Sequence, residues 1–492
     1  MKKNSIYNLL INPSAILVFL FVIFVFNSLI PLLNYDEYLW SYIGRIWNRN
    51  GIPPYLGAVE NKTPGIFIVY AVSDFLFESN IFFVRIVGVI ATLISTWYLF
   101  KICTKLHSKL AGVFSMYVFG LTMCWFLLDG SYFAHTEVFM VLFSILGFYF
   151  IIQYENDKKI NQHLFLAGLC IGIAISFKQI ALTTFVALLL FYIAFKANRF
   201  SIKNKIKGIV LYSLGCLTSI SISILILYFN NVTLHNYLDG AWIILINSGS
   251  KVLDIKTHFF NFYNKLIVSR FLIFYFFIIL FLFQREFRSK PFFWGIIIWF
   301  VLDFAGVNAS GYYYGHQIKQ VIPSLAIMAG IGMSNFITNN LYLKSINPKR
   351  VIYIIVILFF PYRQTYLTTK FLFNPPESSP KEMGNWINKQ TTKDDYIYIM
   401  GGDYKLVSAL FSSDRVSSSK YFNSIFITED KHRKVVYSDL LEKTPKFILK
   451  IENDSVYVNK VYGRQIEEFL KHDYSLYRKI NGFEIYLLNK SL

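Results

Sequence analysis

Apolar stretches of about 14–22 residues recur along the first three quarters of the chain, and their spacing sets the architecture. The first, Ser14 to Leu33, follows Met1-Lys2-Lys3. It is too long for the core of a signal peptide and lacks a small-residue cleavage site, so it reads as a retained anchor. Further stretches run over 83–100, 110–128, 138–153, 164–177, 180–195, 208–229, 266–283, 291–308, 321–338 and 351–366. Apolar segments near this length cross ~30 Å of hydrocarbon as helices, which predicts about eleven spans. A shorter run, Gly65 to Phe77, contains Asp74 and stops at Glu78. Basic residues decide how to treat it. If the run lies along the outer interface, one face collects eighteen Lys and Arg, among them Lys101, Lys105, Lys203, Lys207, Arg285 and Lys290, against eight on the other. That asymmetry satisfies the positive-inside rule. A crossing at 65–77 would reverse most of it.

Beyond 366 the pattern changes. Asn374-Pro375-Pro376 and Ser378-Ser379-Pro380 read as a linker. Alternating runs (Tyr396-Ile397-Tyr398-Ile399-Met400, Lys446-Phe447-Ile448-Leu449, Phe483 to Leu488) then interleave with helix-like stretches near 381–390, 403–412, 434–443 and 460–471. That rhythm predicts a small α/β domain. The expected fold is a polytopic α-helical membrane protein, with interfacial helices in the first outer loop and a C-terminal extracytoplasmic α/β domain. Its boundaries are 1–366 for the membrane domain and 367–492 for the soluble one. The N-terminus is placed in the cytoplasm and the C-terminal domain outside, in a multi-pass protein of the plasma membrane.

Composition agrees and removes the alternatives. At 492 residues the chain is long enough for three soluble domains, but it is 55% hydrophobic and 16% charged, whereas soluble domains carry about 25% charged residues. The four cysteines lie in or beside apolar runs, so no external disulfide framework is expected. Of the net charge of +19, +16 falls in 1–366 and +3 in the remainder. The basic balance is therefore a topology signal, with attraction to membrane lipids second and no role for nucleic acid.

Ionisable residues at the edge of hydrocarbon are costly and mark function. On this topology they gather on the outer side. Asp36 and Glu37 follow the first span, and Asn61-Lys62-Thr63-Pro64 comes later in the same loop. Asp129, His135 and Glu137 lie between spans three and four, and Lys178 sits at a span junction with almost no loop. His235, Asp239 and Trp242 belong to the 230–265 loop, and Asp303 lies within the ninth span. Gly311-Tyr312-Tyr313-Tyr314-Gly315-His316 and Gln320 precede the tenth. Each has a plain structural reading: Asp36 as a solvated helix end, Lys62 snorkelling to headgroups, His316 and its tyrosines as an interfacial belt. Lys178 is different, because among apolar segments it needs an anionic partner, either a protein carboxylate or a ligand phosphate. A carboxylate and two lysines at a bilayer edge suit a lipid-linked phosphate, gripped by ammonium groups, and a hydroxyl that gives up its proton to the carboxylate.

An Asp-Glu pair directly after the first span resembles the GT-C superfamily of integral-membrane glycosyltransferases. So do the Lys-Pro-type element near residue 62, the acidic residue at 137, the lone Lys178 and the His316/Gln320/Pro323 pattern. The closest likeness is to the branch of protein O-mannosyltransferases and bacterial aminoarabinose transferases. The resemblance implies an inverting glycosyltransferase that moves a sugar from a polyprenyl-phosphate-linked donor to a glycan, lipid or protein acceptor of the cell envelope. It implies Asp36 as general base, Glu37 as an acceptor- or sugar-positioning group, and Lys62 and Lys178 as contacts to the donor phosphate. His135, Glu137, Tyr314, His316 and Gln320 would face the sugar, acceptor or carrier head group. The chain has Asn-Lys-Thr-Pro where relatives often have Glu-Lys-Pro-Pro, and Glu137 where many have Asp. Two lysines suffice for a phosphomonoester leaving group, with a divalent metal as the open alternative. Rival readings are a flippase or transporter of a lipid-linked sugar, a polysaccharide ligase or polymerase, and a receptor-like binding module in the C-terminal domain. The first would need polar residues along a transmembrane path or inverted repeats, and neither is present in the sequence.

Overall fold

The computed structural model describes residues 8–31, 34–78, 80–124, 134–153, 160–196, 201–250, 255–309, 311, 313–339, 348–375, 378–452 and 460–489. Met1-Lys2-Lys3, Leu33, Asp129, Tyr312 and Pro376 lie outside these residues. The chain divides into two compact units, one formed by Met1–Pro31, Val84–Ser223 and Leu253–Asn374, the other by Leu32–Phe83, Ile224–Val252 and Pro375–Leu492.

Among the described residues, all eleven apolar stretches fall mainly on helices. Among the described residues, four helices are long and apolar enough to cross a bilayer: Ile81–Leu106, Ile202–Phe229, Pro291–Asn308 and Gly315–Thr338. Eleven is reached only when two bent helix pairs and five of six shorter apolar helices are also counted. One bent pair replaces the expected straight span at 351–366: Pro348–Phe359 and Tyr362–Phe373 meet at 53°. Pro361 stands at the break, where its missing N–H and its ring stop the helix. The other pair, Ile255–Val268 and Leu272–Leu282, bends by 70°, and the expected loop at 230–265 is helical over much of its length.

Within the first unit, small residues let helices approach closely. Gly168 and Gly172, four apart on Ile160–Phe177, face the Ile202–Phe229 helix. A Cβ at Gly168 would stand 1.9 Å from the Tyr212 carbonyl oxygen, and one at Gly172 2.3 Å from that of Cys216. Such contacts hold helices together in lipid, where the tails are as apolar as leucine and burial supplies little drive. Farther along, Ile206, Val210, Leu214 and Leu217 stay exposed, an apolar stripe suited to hydrocarbon. Buried Arg85 closes the first helix by donating to the carbonyls of Ser28 (3.1 Å) and Ile30 (2.6 Å). All four cysteines are buried and free.

The second unit is built on a four-stranded sheet of order β1-β2-β4-β3, with β1 Ile397–Met400, β2 Phe447–Ile451, β3 Tyr474–Ile480 and β4 Phe483–Leu488. β1 and β2 are parallel; β2/β4 and β4/β3 are antiparallel. Strands β1, β2 and β4 coincide with the three alternating runs in the sequence. β3 was not expected. Its residues are exposed from Ser475 to Lys479, as befits an edge strand carrying Arg478 and Lys479 against further pairing, and such a strand shows no inside-outside alternation. The helices Ser379–Gln390, Tyr404–Ser413, Asp430–Glu442 and Arg464–Asp473 match the helix-like stretches to within a few residues.

Two segments from the first half of the chain join this unit. Tyr35–Asn50 is a helix started by a capping box at Asn34 and ended by Gly51 at φ +65°. Pro64–Phe77 is a second helix, packed so closely that a Cβ at Gly44 would lie 2.7 Å from the Tyr70 backbone. Asp74 is buried and takes Arg49 (3.0 Å) and Asn48 (2.8 Å), so this carboxylate fastens two helices. Val72, Phe75 and Leu76 remain exposed.

Candidate active site

In the first unit the polar centre forms where helices begin and end. His135 is extended (φ −86°, ψ 154°) and precedes the Thr136–Ile152 helix, which puts Glu137 in the first turn. A carboxylate is favoured there by the unpaired N–H groups and the helix dipole. Thr136 Oγ1 donates to Glu137 Oε2 at 3.0 Å. Lys178 is also extended, at the join between Ile160–Phe177 and the turn Gln179–Ala181. Its ammonium donates to Glu137 Oε1. The anionic partner demanded by the sequence is therefore a protein carboxylate. Glu137 is 1% exposed and Lys178 16%. His316 Nε2 lies 3.9 Å from the same Glu137 oxygen, its ring 5.2 Å from that of His135 and stacked on Tyr314 at 5.7 Å. Tyr314 is half exposed. A cationic, aromatic and partly open surface thus surrounds one buried anion.

Gln320 faces elsewhere. Its amide donates to Thr183 Oγ1 (2.7 Å), Asp303 Oδ1 (3.1 Å) and the Ile180 carbonyl (3.3 Å). Fully buried Asp303 also accepts from Thr183 and Thr184, both at 2.8 Å, and from Trp299 at 2.8 Å. Four donors satisfy this carboxylate, as a buried charge requires. The network grips the turn directly after Lys178, so Gln320 and Asp303 support the lysine from behind.

The second unit repeats the lysine–carboxylate arrangement in a loop. Lys62 Nζ donates to Glu60 Oε1 at 3.1 Å and Asn61 Oδ1 at 2.7 Å. Glu60 is 5% exposed and Lys62 18%. Burial raises the Glu60 carboxyl above its ordinary value, opposed by Lys62 and reinforced by the negative charge of Asp36. Tyr55 closes the loop from within. Its hydroxyl donates to the Lys62 carbonyl at 2.6 Å, and its ring packs edge-on against Phe67 (5.9 Å) and Tyr237 (5.7 Å). The residue sits at φ +70°, a conformation that costs a bulky side chain of the order of 1–3 kcal/mol and persists only where the surroundings enforce it. A Cβ at Gly240 would stand 2.5 Å from the Tyr55 ring.

Asp36 and Glu37 begin the Tyr35–Asn50 helix and have different surroundings. Glu37 is fully buried, and it completes the capping box: its N–H donates to Asn34 Oδ1 (2.8 Å) and its carboxylate accepts from the Asn34 N–H (3.4 Å). Asp36 is only partly buried. Trp242 donates to the Tyr237 hydroxyl at 3.1 Å, and Asp239 lies 3.8 Å from Lys431.

Sequence reading missed Glu60 and Tyr55. Glu60 stands two positions before Lys62, so its carboxylate reaches back over Asn61, and a motif read as Asn-Lys-Thr-Pro stops one residue short of it. Nothing in local sequence marks Tyr55, whose role depends on a left-handed turn. In this loop Glu60 and Asn61 both hold the Lys62 ammonium.

Residues 61–226 match the family model of the dolichyl-phosphate-mannose-protein mannosyltransferases. No curated protein matches the chain. Among solved structures, the chain is similar to apo ArnT from Cupriavidus metallidurans, with a TM-score of 0.68 over 99% of this chain and 98% of that one, at 12% identity. The same protein bound to undecaprenyl phosphate gives 0.63 over 96% and 97%, at 14% identity. The Archaeoglobus fulgidus oligosaccharyltransferase AglB, in complex with an inhibitory peptide and a dolichol-phosphate, gives 0.54 over 98% of this chain and 74% of that one, at 11% identity. These likenesses extend over both units.

Proposed function

We propose that this chain is a membrane glycosyltransferase of the GT-C superfamily and moves a sugar from a polyprenyl-phosphate-linked donor to an acceptor hydroxyl, a reading supported by the family-model match over 61–226 and by the fold shared with ArnT. The observation that carries the reading is the doubled lysine–carboxylate pair. Glu137 holds Lys178 and Glu60 holds Lys62, each with a buried anion fixing an ammonium about one-sixth exposed. A lysine so held keeps its positive charge in a fixed direction, which is what an oxyanion on a lipid carrier needs. The solved ArnT complex with undecaprenyl phosphate supports the donor class.

In this reading the acceptor oxygen attacks the anomeric carbon while Asp36 takes its proton. The bond from that carbon to the phosphate oxygen breaks, its electron pair leaving with the polyprenyl phosphate, whose new charge meets a lysine ammonium held by a buried carboxylate. A single displacement inverts the anomeric centre. His135, His316 and Tyr314 line the sugar or head-group side, and Glu37 acts through the start of the Asp36 helix. We place the reaction on the outer face of the plasma membrane, with the N-terminus cytoplasmic, the C-terminal domain outside and an envelope glycan, lipid or protein as acceptor.

The test is incubation of purified protein with polyprenyl-phosphate monosaccharides labelled in the sugar. Transfer, or slow hydrolysis in the absence of acceptor, with release of free polyprenyl phosphate supports the reading. Intact donors across a panel of hexoses and pentoses, after the protein is shown to be folded, contradict it.

A further inference from the structure

Residues 417–423 of the C-terminal segment grip both parts of the 32–83 segment that carry reactive groups. The Ser417 N–H donates to the Tyr42 hydroxyl at 2.9 Å. Lys420 accepts from the Val59 N–H at 3.0 Å through its carbonyl, next to Glu60. The Asn423 amide donates to the Tyr35 hydroxyl, next to Asp36. Phe422 packs edge-on against Tyr42 at 5.3 Å.

The grip is rigid at its own end. Ser418 donates from its N–H to the Ile397 carbonyl of β1 (2.9 Å), and Ser424 to the Gly401 carbonyl just beyond β1 (3.3 Å). Ser419 Oγ donates to Asp439 at 2.6 Å. Asn423 is oriented by its own carbonyl oxygen, which accepts from the Ile425 N–H at 3.1 Å. Ser417, Ser418, Ser419, Phe422 and Asn423 are all buried. A sheet-anchored segment therefore holds the first residue of the Asp36 helix and the residue before Glu60 on a common support.

We propose that Asn423 is a positioning residue for Asp36, acting through Tyr35, and that the soluble domain serves the chemistry by fixing where this carboxylate stands. The inference rests on the reading of Asp36 as the base. A base must lie within hydrogen-bond reach of the proton it removes, and displacements of about 1 Å can cost as much as 10²-fold in rate. Donor phosphate contacts are unaffected by such a shift, so its signature is in kcat and not in KM.

Tyr35→Phe removes only the hydroxyl. The expected result is a fall in kcat of about 10-fold, a donor KM within about twofold of wild type, and an unchanged melting temperature. Asn423→Asp, whose carboxylate accepts the Tyr35 O–H, recovers most of the rate, whereas Asn423→Ala does not. Normal kcat in Tyr35→Phe overturns the proposal, as does loss of kcat in step with loss of folded protein. Absence of turnover in wild type would count against the glycosyltransferase reading instead. Amide exchange then decides, because it needs no substrate: faster exchange at Tyr38 and Leu39 in full-length Tyr35→Phe supports the positioning role, and unchanged protection sinks it.

Discussion

Lys178 and Lys62 reach nearly the same state by opposite routes. Each is bonded to a carboxylate that is almost wholly buried and leaves its ammonium 16% or 18% exposed. Lys178 stands at a junction of apolar helices, its partner Glu137 is in a helix first turn, and the Asp303–Gln320–Thr183 network braces the turn behind it. Lys62 lies on a loop, and what fixes it is one tyrosine in a strained conformation whose hydroxyl ties the lysine main chain. Helix ends supply rigidity from regular hydrogen bonding. The loop obtains it from aromatic packing that outweighs a local conformational cost. The lesson is that the electrostatic unit, a buried anion steering a largely buried cation, recurs on two different scaffolds.

The largest effect separates chemistry from both lysines. Asp36→Asn should reduce transfer by about 10²–10⁴-fold while polyprenyl phosphate still binds, as measured by turnover and by lipid titration of the same preparation. Near-normal turnover would remove Asp36 from the mechanism. Next comes the helical pair. Lys178→Ala leaves Glu137 buried without its main counter-charge, which costs about 3–5 kcal/mol where such a pair is broken. Thermal unfolding should show a clear drop in Tm. Combining it with Glu137→Gln should restore much of the Tm but none of the lost donor affinity, a split that separates holding the fold from holding the phosphate.

The loop pair should give way more gently. Tyr55→Phe deletes one hydrogen bond, worth about 1 kcal/mol net, and should weaken donor binding several-fold with little change in Tm. If it instead matches Lys178→Ala in both readouts, the contrast between the two scaffolds fails. The smallest effect is on pH dependence. The Glu60 carboxyl is raised in the folded protein by burial, so the native state holds this proton more firmly than the unfolded chain does. Its stabilising contribution is present at low pH and is lost as pH rises from the ordinary carboxylate value through the raised one. Glu60→Gln should therefore flatten the fall in Tm over that window, and an identical pH profile in both proteins would show that Glu60 does not titrate there.

Much of the helical layout could be read from the sequence, because hydrocarbon demands long apolar runs and tolerates few charges. Strands β1, β2 and β4 were legible as short apolar runs between helix-like stretches, and they are buried along most of their length. Edge strand β3 and the kink at Pro361 were less so, the first for lack of alternation and the second because the proline falls inside a single stretch of span length, 351–366. Candidate residues such as Lys178 and Glu137 stood out as charges in apolar surroundings. Their pairing with each other did not, since 41 positions separate them and only tertiary structure selects the partner. Recruitment of 32–83 and 224–252 into the unit of the C-terminal sheet was also invisible. It depends on hydrogen bonds such as Tyr42 to Ser417, across 375 positions. Glu60 and Tyr55 were missed because their importance comes from one loop's conformation and not from residue type.

The most direct measurement is titration of purified protein with polyprenyl phosphate, followed by native mass spectrometry, for wild type, Lys62→Ala and the Lys178→Ala/Glu137→Gln pair. The account predicts saturable binding by wild type and at least about tenfold weaker binding in each variant, as expected for loss of a charge-assisted contact. Equal affinity in all three, or no binding by wild type, would contradict it.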